Sequence, residues 1–140
     1  MVAHMRLPLL TIVAFCLTGC GASDLCSNTL VEKLLDPSGT RVAYHYIRDC
    51  GATTDYATSI AIGALGEDTA QADVVFTADS GHGAAKADGE GIWLRMTWAR
   101  PGMLLVSHAE KARIFRQEGQ ARGARISYRA SDDPVARPVP

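Results

Sequence analysis

The chain has 140 residues, 14 basic and 15 acidic side chains for a formal net charge of −1, and a hydrophobic content of 47%. That length makes one ordinary domain, large enough to bury a core without a metal or several staples. The charge is unevenly placed, with 11 acidic and 4 basic residues from Cys20 to Leu94 and 9 basic and 4 acidic from Arg95 to Pro140. Either the two halves pair against each other or are simply solvated, or a basic face meets anionic lipid or glycan.

A short head with one arginine, Arg6, precedes an apolar run from Leu7 to Leu17. At about 11 residues the run is too short for the roughly 20 that span a bilayer, and no later window is long and apolar enough. A charged head, an apolar centre and a small-residue end describe a secretory signal. Leu17-Thr18-Gly19-Cys20 resembles the lipobox of bacterial lipoproteins, in which the cysteine is lipidated and becomes the first mature residue. The resemblance implies a signal peptide over residues 1–19, palmitate-type acylation at Cys20 and attachment to the membrane through that lipid on the extracytoplasmic side. Several acyl chains make a stable anchor, because each buried CH₂ contributes about 0.8 kcal/mol. Gly21 stands where the sorting rule of Gram-negative bacteria uses Asp for inner-membrane retention. That favours the periplasmic face of the outer membrane.

With Cys16 removed in the signal and Cys20 lipidated, Cys26 and Cys50 remain. The exported compartment is oxidising, so they are expected to form one disulfide. The closed loop of about 25 residues contributes on the order of 3 kcal/mol. No metal and no cofactor is expected, since there is no CxxC and the histidines are scattered.

The expected fold is mainly β (α+β): a short N-terminal helix followed by an antiparallel sheet of about six or seven strands in a single domain, residues 20–131. Ser23 or Asp24 caps the helix, which runs to Leu35 on the partial helical spacing of Leu25, Leu30, Val31, Leu34 and Leu35. Asp36-Pro37-Ser38-Gly39 stops it in a turn. Beyond the turn the period is 2. Val42, Tyr44 and Tyr46 alternate with Arg41, Ala43 and His45; Ile60 and Ile62 make a second run; Val74–Thr77 a third. Residues 79–91 have no period and read as a mobile loop. Ile92 to Trp98 alternates again. Arg100-Pro101-Gly102 makes a hairpin to Leu104 and Val106, and residues 107–113 hold a helical turn or a loop. Gly119 to Gly123 is expected to join Ile114-Phe115 to Ile126-Tyr128 as a second hairpin. One sheet face packs the core and the other is solvated. Arg125 and Arg129 protect an edge, and the Pro-rich residues 132–140 are a disordered tail.

The densest polar segment is Arg48-Asp49-Cys50-Gly51-Ala52-Thr53-Thr54. With the preceding Pro-Ser-Gly turn, a later Trp and a closing Ile-x-Tyr, it resembles a group of small uncharacterised bacterial envelope lipoproteins. The likeness covers about Cys26 to Tyr128, and its specific part is the seven-residue run. It implies an exported, disulfide-bearing β domain and supplies no chemistry. The loop has two readings. Arg48, Asp49, Thr53 and Thr54 present donors and acceptors to a ligand, or they satisfy their own backbone at a stapled corner.

Two further sites are weighed. Trp98 shares parity with Ile92, Leu94 and Met96 and is assigned to the core; Trp93, on the opposite parity, is the surface candidate for a binding anchor. Asp79-Ser80-Gly81-His82 places a carboxylate, a hydroxyl and an imidazole close together, but a Gly-rich loop gives no rigid triad geometry. The expected function is therefore a lipid-anchored, non-catalytic binding or interaction module of the cell envelope, with a protein or glycan partner and no nucleic acid. The alternative is a small envelope hydrolase using Asp79, Ser80 and His82. On strand parity His45 is expected at the surface or an edge.

Overall fold

A computed structural model describes residues 26–133. The expected signal peptide over residues 1–19, Cys20 and residues 134–140 of the expected tail lie outside the described residues. The described chain is mainly β, with eleven strands and no helix: β1 (Ser27–Leu35), β2 (Arg41–Asp49), β3 (Ala57–Ala64), β4 (Asp73–Asp79), β5 (Ala87–Asp88), β6 (Gly91–Ile92), β7 (Leu94–Arg100), β8 (Met103–His108), β9 (Arg113–Gln117), β10 (Gln120–Ala121) and β11 (Ala124–Ala130). They form a five-stranded sheet in the order β1-β2-β3-β4-β9, a four-stranded sheet β10-β11-β8-β7 and a two-stranded ribbon β5-β6.

The expected N-terminal helix is a strand. Ser27–Leu35 pairs antiparallel with β2 from Ser27↔Asp49 to Leu35↔Val42, and the Cys26–Cys50 disulfide closes the open end of this hairpin. Leu30, Val31 and Leu35 are exposed, so the apolar spacing that suggested a buried helical stripe covers no core. The ladder slips between Leu30, opposite Tyr46, and Glu32, opposite His45, leaving Val31 as a bulge. Because side chains alternate between faces, one extra residue turns every following side chain over. Glu32 and Leu34 therefore face inward and Lys33 outward, its ammonium 5.5 Å from the Tyr44 ring centroid.

The second predicted hairpin does not form either. β9 crosses to the edge of β4, and β11 runs parallel to β8, from Arg125↔Met103 to Ala130↔His108. A parallel pair needs a long crossover, and residues 109–123 provide it. The Gly119–Gly123 segment closes only the small β10–β11 hairpin, with Arg122 and Gly123 at φ 49° and 73°. Residues 79–91, expected to lack structure, hold the β5 strand and its turn into β6. They are tied down by Ala85 N–H to the Ser80 carbonyl at 2.9 Å and Trp93 N–H to the Lys86 carbonyl at 2.7 Å. The hairpin at Arg100-Pro101-Gly102 is as expected.

There is no single solvated sheet face. β2 and β3 are buried on both sides. Their inner face, with Ala43, Ile60 and Ile62, meets Phe76, Leu94, Met96, Leu104, Val106 and Ile126 in the main core. Fully burying each large apolar side chain contributes roughly 1.5–3 kcal/mol. On the outer face Val42, Tyr44, Tyr46 and Ala61 form a smaller cluster with Ala72 and Val74, and the Tyr44 hydroxyl donates to the Glu67 carbonyl.

Asp36, in the β1–β2 turn, is fully buried. Its carboxylate accepts from Ser38 N–H at 3.1 Å, from Arg41 Nη1 at 2.7 Å, and from Gly102 N–H of the β7–β8 turn at 3.2 Å. Burial pushes its carboxyl up, but the Ser38 and Gly102 amides and the Arg41 guanidinium outweigh that and hold it below the usual carboxylate range. Replacing Asp36 by Ala leaves the Arg41 charge and two amides without their acceptor. The expected loss is about 3–5 kcal/mol, as for other broken buried pairs, read as a lower urea midpoint at unchanged slope. Reducing the Cys26–Cys50 disulfide is expected to cost about 3 kcal/mol, read from melting curves with and without reductant.

Candidate functional site

The polar groups of the Arg48–Thr54 loop are engaged locally. Arg48 Nη1 lies 3.5 Å from Asn28 Oδ1, Asp49 Oδ1 accepts from Gly51 N–H at 2.9 Å, and Thr54 Oγ1 donates to the Gly51 carbonyl at 3.0 Å. Gly51 sits at φ 105°, a conformation that favours glycine. Thr53 is exposed. The loop makes a closed corner beside the disulfide, and the four residues converge on no common cavity.

Trp93 is not a surface residue. It is 4% exposed and packs in the main core. The strand breaks between β6 and β7, so Ile92, Trp93 and Leu94 are all buried and the expected alternation does not apply there. Lys86 Nζ lies 5.3 Å from the Trp93 ring centroid. Trp98, assigned to the core, is partly buried, and its Nε1 donates to the Leu34 carbonyl at 3.2 Å.

The Asp79-Ser80-His82 groups are engaged in structure. Arg113 donates through Nε at 3.0 Å and through Nη2 to the Asp79 carboxylate. These bonds hold the Asp79 carboxyl below the usual range against the upward push of its burial. Ser80 Oγ donates to Asp55 Oδ2 at 2.5 Å and accepts from Gly83 N–H at 2.7 Å. His82 is exposed at φ 62°, and among the described residues no hydrogen bond joins it to Ser80 or Asp79. No group of three or more His, Cys, Asp or Glu side chains placed to hold a metal occurs among the described residues.

The most distinctive site lies elsewhere, around His45. Expected at the surface, His45 is 7% exposed, and its Nε2 is buried with no hydrogen-bond partner among the described residues. Buried polar atoms are nearly always paired, so an orphan calls for an explanation. The cause of the burial is packing: His45 shares the inner face with Ala43 and Ile47, and that is the face the second sheet covers. His45 lines a half-open cleft of about 510 Å³ between the exposed edges of β1 and β7. Thr29, Val31 and Glu32 of β1 form one wall, Leu94 and Arg95 of β7 the other, and the Asp88-Gly89-Glu90 turn of the ribbon lies over it.

Two local features build the cleft. The Val31 bulge turns Glu32 inward beside His45; without it Glu32 would fall opposite Tyr44 on the outer face. Gly91 lets the ribbon lie directly on the sheet, since a Cβ there would overlap Ile47 Cδ1 and Thr58 Oγ1. Ile92 N–H then donates to Thr58 Oγ1 at 3.0 Å. Within the cleft Arg95 Nη1 pairs with Asp88 Oδ2 at 3.1 Å, with both side chains more than half exposed. No ion pair or hydrogen bond engages the Glu32 or Glu90 side chain among the described residues. Sequence parity carried one usable signal for this site: Ala43-x-His45-x-Ile47 is itself a face flanked by apolar residues.

Burial pushes the His45 imidazole down to about 4, with Asp88 opposing slightly and Arg95 adding to the shift. At neutral pH the ring is therefore uncharged. The unfolded chain has a histidine pKa near 6.5, so it binds the proton more readily than the fold does. The resulting stability is present above about pH 6.5 and is lost as pH falls toward 4, by up to about 3 kcal/mol. Urea midpoints at pH 7.5 and 4.5 are expected to differ less in His45→Leu than in the natural chain.

Comparison with protein-family models, with curated proteins and with solved structures finds no match to this chain.

Proposed function

We propose that this chain is a lipid-tethered, non-catalytic binding module of a bacterial cell envelope, and that it receives its ligand in the His45 cleft. The observation that carries the binding role is the orphaned, buried imidazole lining a half-open cleft with two unengaged carboxylates. A group kept at a cost to stability, in the lining of a concave site, is where a ligand supplies the missing partner. The hydrolase reading would need Asp79, Ser80 and His82 to act together, and two of the three are held in other contacts.

The place of action rests on the sequence. The Leu17-Thr18-Gly19-Cys20 run and the preceding signal argue for acylation at Cys20 and attachment on the extracytoplasmic side, at the periplasmic face of the outer membrane if the cell is Gram-negative. The Cys26–Cys50 disulfide fits an oxidising compartment. The partner is an envelope protein, a glycan or a smaller ligand, and nucleic acid is foreign to that compartment.

Expression of the full chain in a Gram-negative host is expected to yield a mature protein beginning at Cys20. Its terminal peptide would carry the mass of a diacylglyceryl group and an amide-linked acyl chain. Cys20→Ala is expected to abolish processing at residue 19 and the shift into the detergent phase. An unmodified amino terminus in the membrane fraction would refute the anchoring.

A further inference from the structure

We propose that the His45 cleft takes an ammonium or guanidinium group carried on an aliphatic stem. The inference deepens the binding role proposed above and rests on it. Charge is the first argument. Every titratable side chain at the cleft is accounted for by Glu32 from β1, His45 from β2, Asp88 and Glu90 from the ribbon, and Arg95 from β7. With the imidazole neutral, three carboxylates face one guanidinium, and that guanidinium already has Asp88. An anionic ligand would meet net negative charge and find no unpaired cation.

Hydrogen bonding gives the second argument. The unengaged groups are carboxylates, which only accept, and a neutral imidazole, which accepts through one nitrogen and donates through the other. Glu32 lies directly across the ladder from His45, where opposed side chains in antiparallel strands come close enough to share one ligand group. An ammonium brings three donors and a guanidinium five, so either fits an acceptor-rich site.

The apolar lining specifies the rest of the ligand. Val31, Ile47 and Leu94 contribute hydrocarbon to the same cleft, which suits a methylene chain carrying a charged head. A free diamine or agmatine has this chemistry, and so does a lysine or arginine side chain on a peptide.

Calorimetric titration of the full chain in detergent micelles tests the assignment. The probes are cadaverine, agmatine, N-acetyl-lysine amide, glutarate and lactose. Saturable binding of at least one cationic probe is expected, weakened about tenfold or more by Glu32→Gln and removed by His45→Leu. Glu32→Gln keeps the test decisive if the buried-histidine variant fails to fold. Tighter binding of cadaverine or agmatine marks a free amine as the source; tighter binding of the lysine amide marks a peptide side chain. Cation binding unchanged by Glu32→Gln overturns the assignment. Glutarate or lactose binding that needs His45, with the cations silent, overturns it while the binding role stands. Silence from every probe overturns both.

Discussion

The Asp36 carboxylate joins the two sheets at one end of the molecule. It sits in the β1–β2 turn of the five-stranded sheet and accepts from the Gly102 amide in the β7–β8 turn of the four-stranded one. The Gly102 amide reaches both carboxylate oxygens at 3.2 Å, so this contact links the two turns. Nearby, the Trp98 indole donates to the Leu34 carbonyl and closes the seam between β1 and β7. No ladder joins these two edge strands. Further along them the Leu94 and Arg95 side chains stand across a cleft from Thr29 and Glu32. The cleft thus lies between edges clamped at one end, with the ribbon packed through Gly91 against Ile47 and Thr58 and its turn lining the opening.

That arrangement sets the electrostatics of the site. A histidine on the covered face of a central strand loses water and keeps its neutral form, while the carboxylates that line the opening remain in contact with solvent. The result is an uncharged acceptor or donor deep in an acidic cleft. A leucine at position 45 would fit the surrounding apolar face without the unpaired nitrogen. Retaining the imidazole costs stability, most of all below pH 6.5.

The acidic and basic halves of the chain meet in the fold. Arg95 pairs with Asp88, Arg113 with Asp79, and Arg122 with both Glu67 and Asp73, each joining the basic C-terminal half to the acidic N-terminal one. Arg95–Asp88 joins β7 to the ribbon, Arg113–Asp79 joins neighbouring strands of the five-stranded sheet, and Arg122 joins the β10–β11 turn to β4 and the loop before it. The β9 edge is the exception in character: Ile114 is exposed and Phe115 is 60% exposed, flanked by Arg113 and Arg116. Charged neighbours on a bare edge discourage pairing with another chain, and the Arg113 guanidinium also lies 5.1 Å from the Phe115 ring centroid.

Local chemistry by itself determined most strand positions, the turns at Asp36–Gly39 and Arg100–Gly102, and the pairing of Cys26 with Cys50. Period-2 alternation, Pro and Gly punctuation and a simple cysteine count are local signals that survive folding. Tertiary structure alone decided which face of each strand is covered. Alternation separates two sets of side chains, but in β2 both sets are buried, so only the apolar neighbours Ala43 and Ile47 pointed to His45 as interior. The Val31 bulge reversed the facing of Glu32 without any glycine or proline to announce it. The strand break before Leu94 buried Trp93. The β8–β11 parallel pair depends on where β9 docks, a contact between residues far apart in the chain. The cleft lies where these long-range choices meet, and no stretch of sequence contains it.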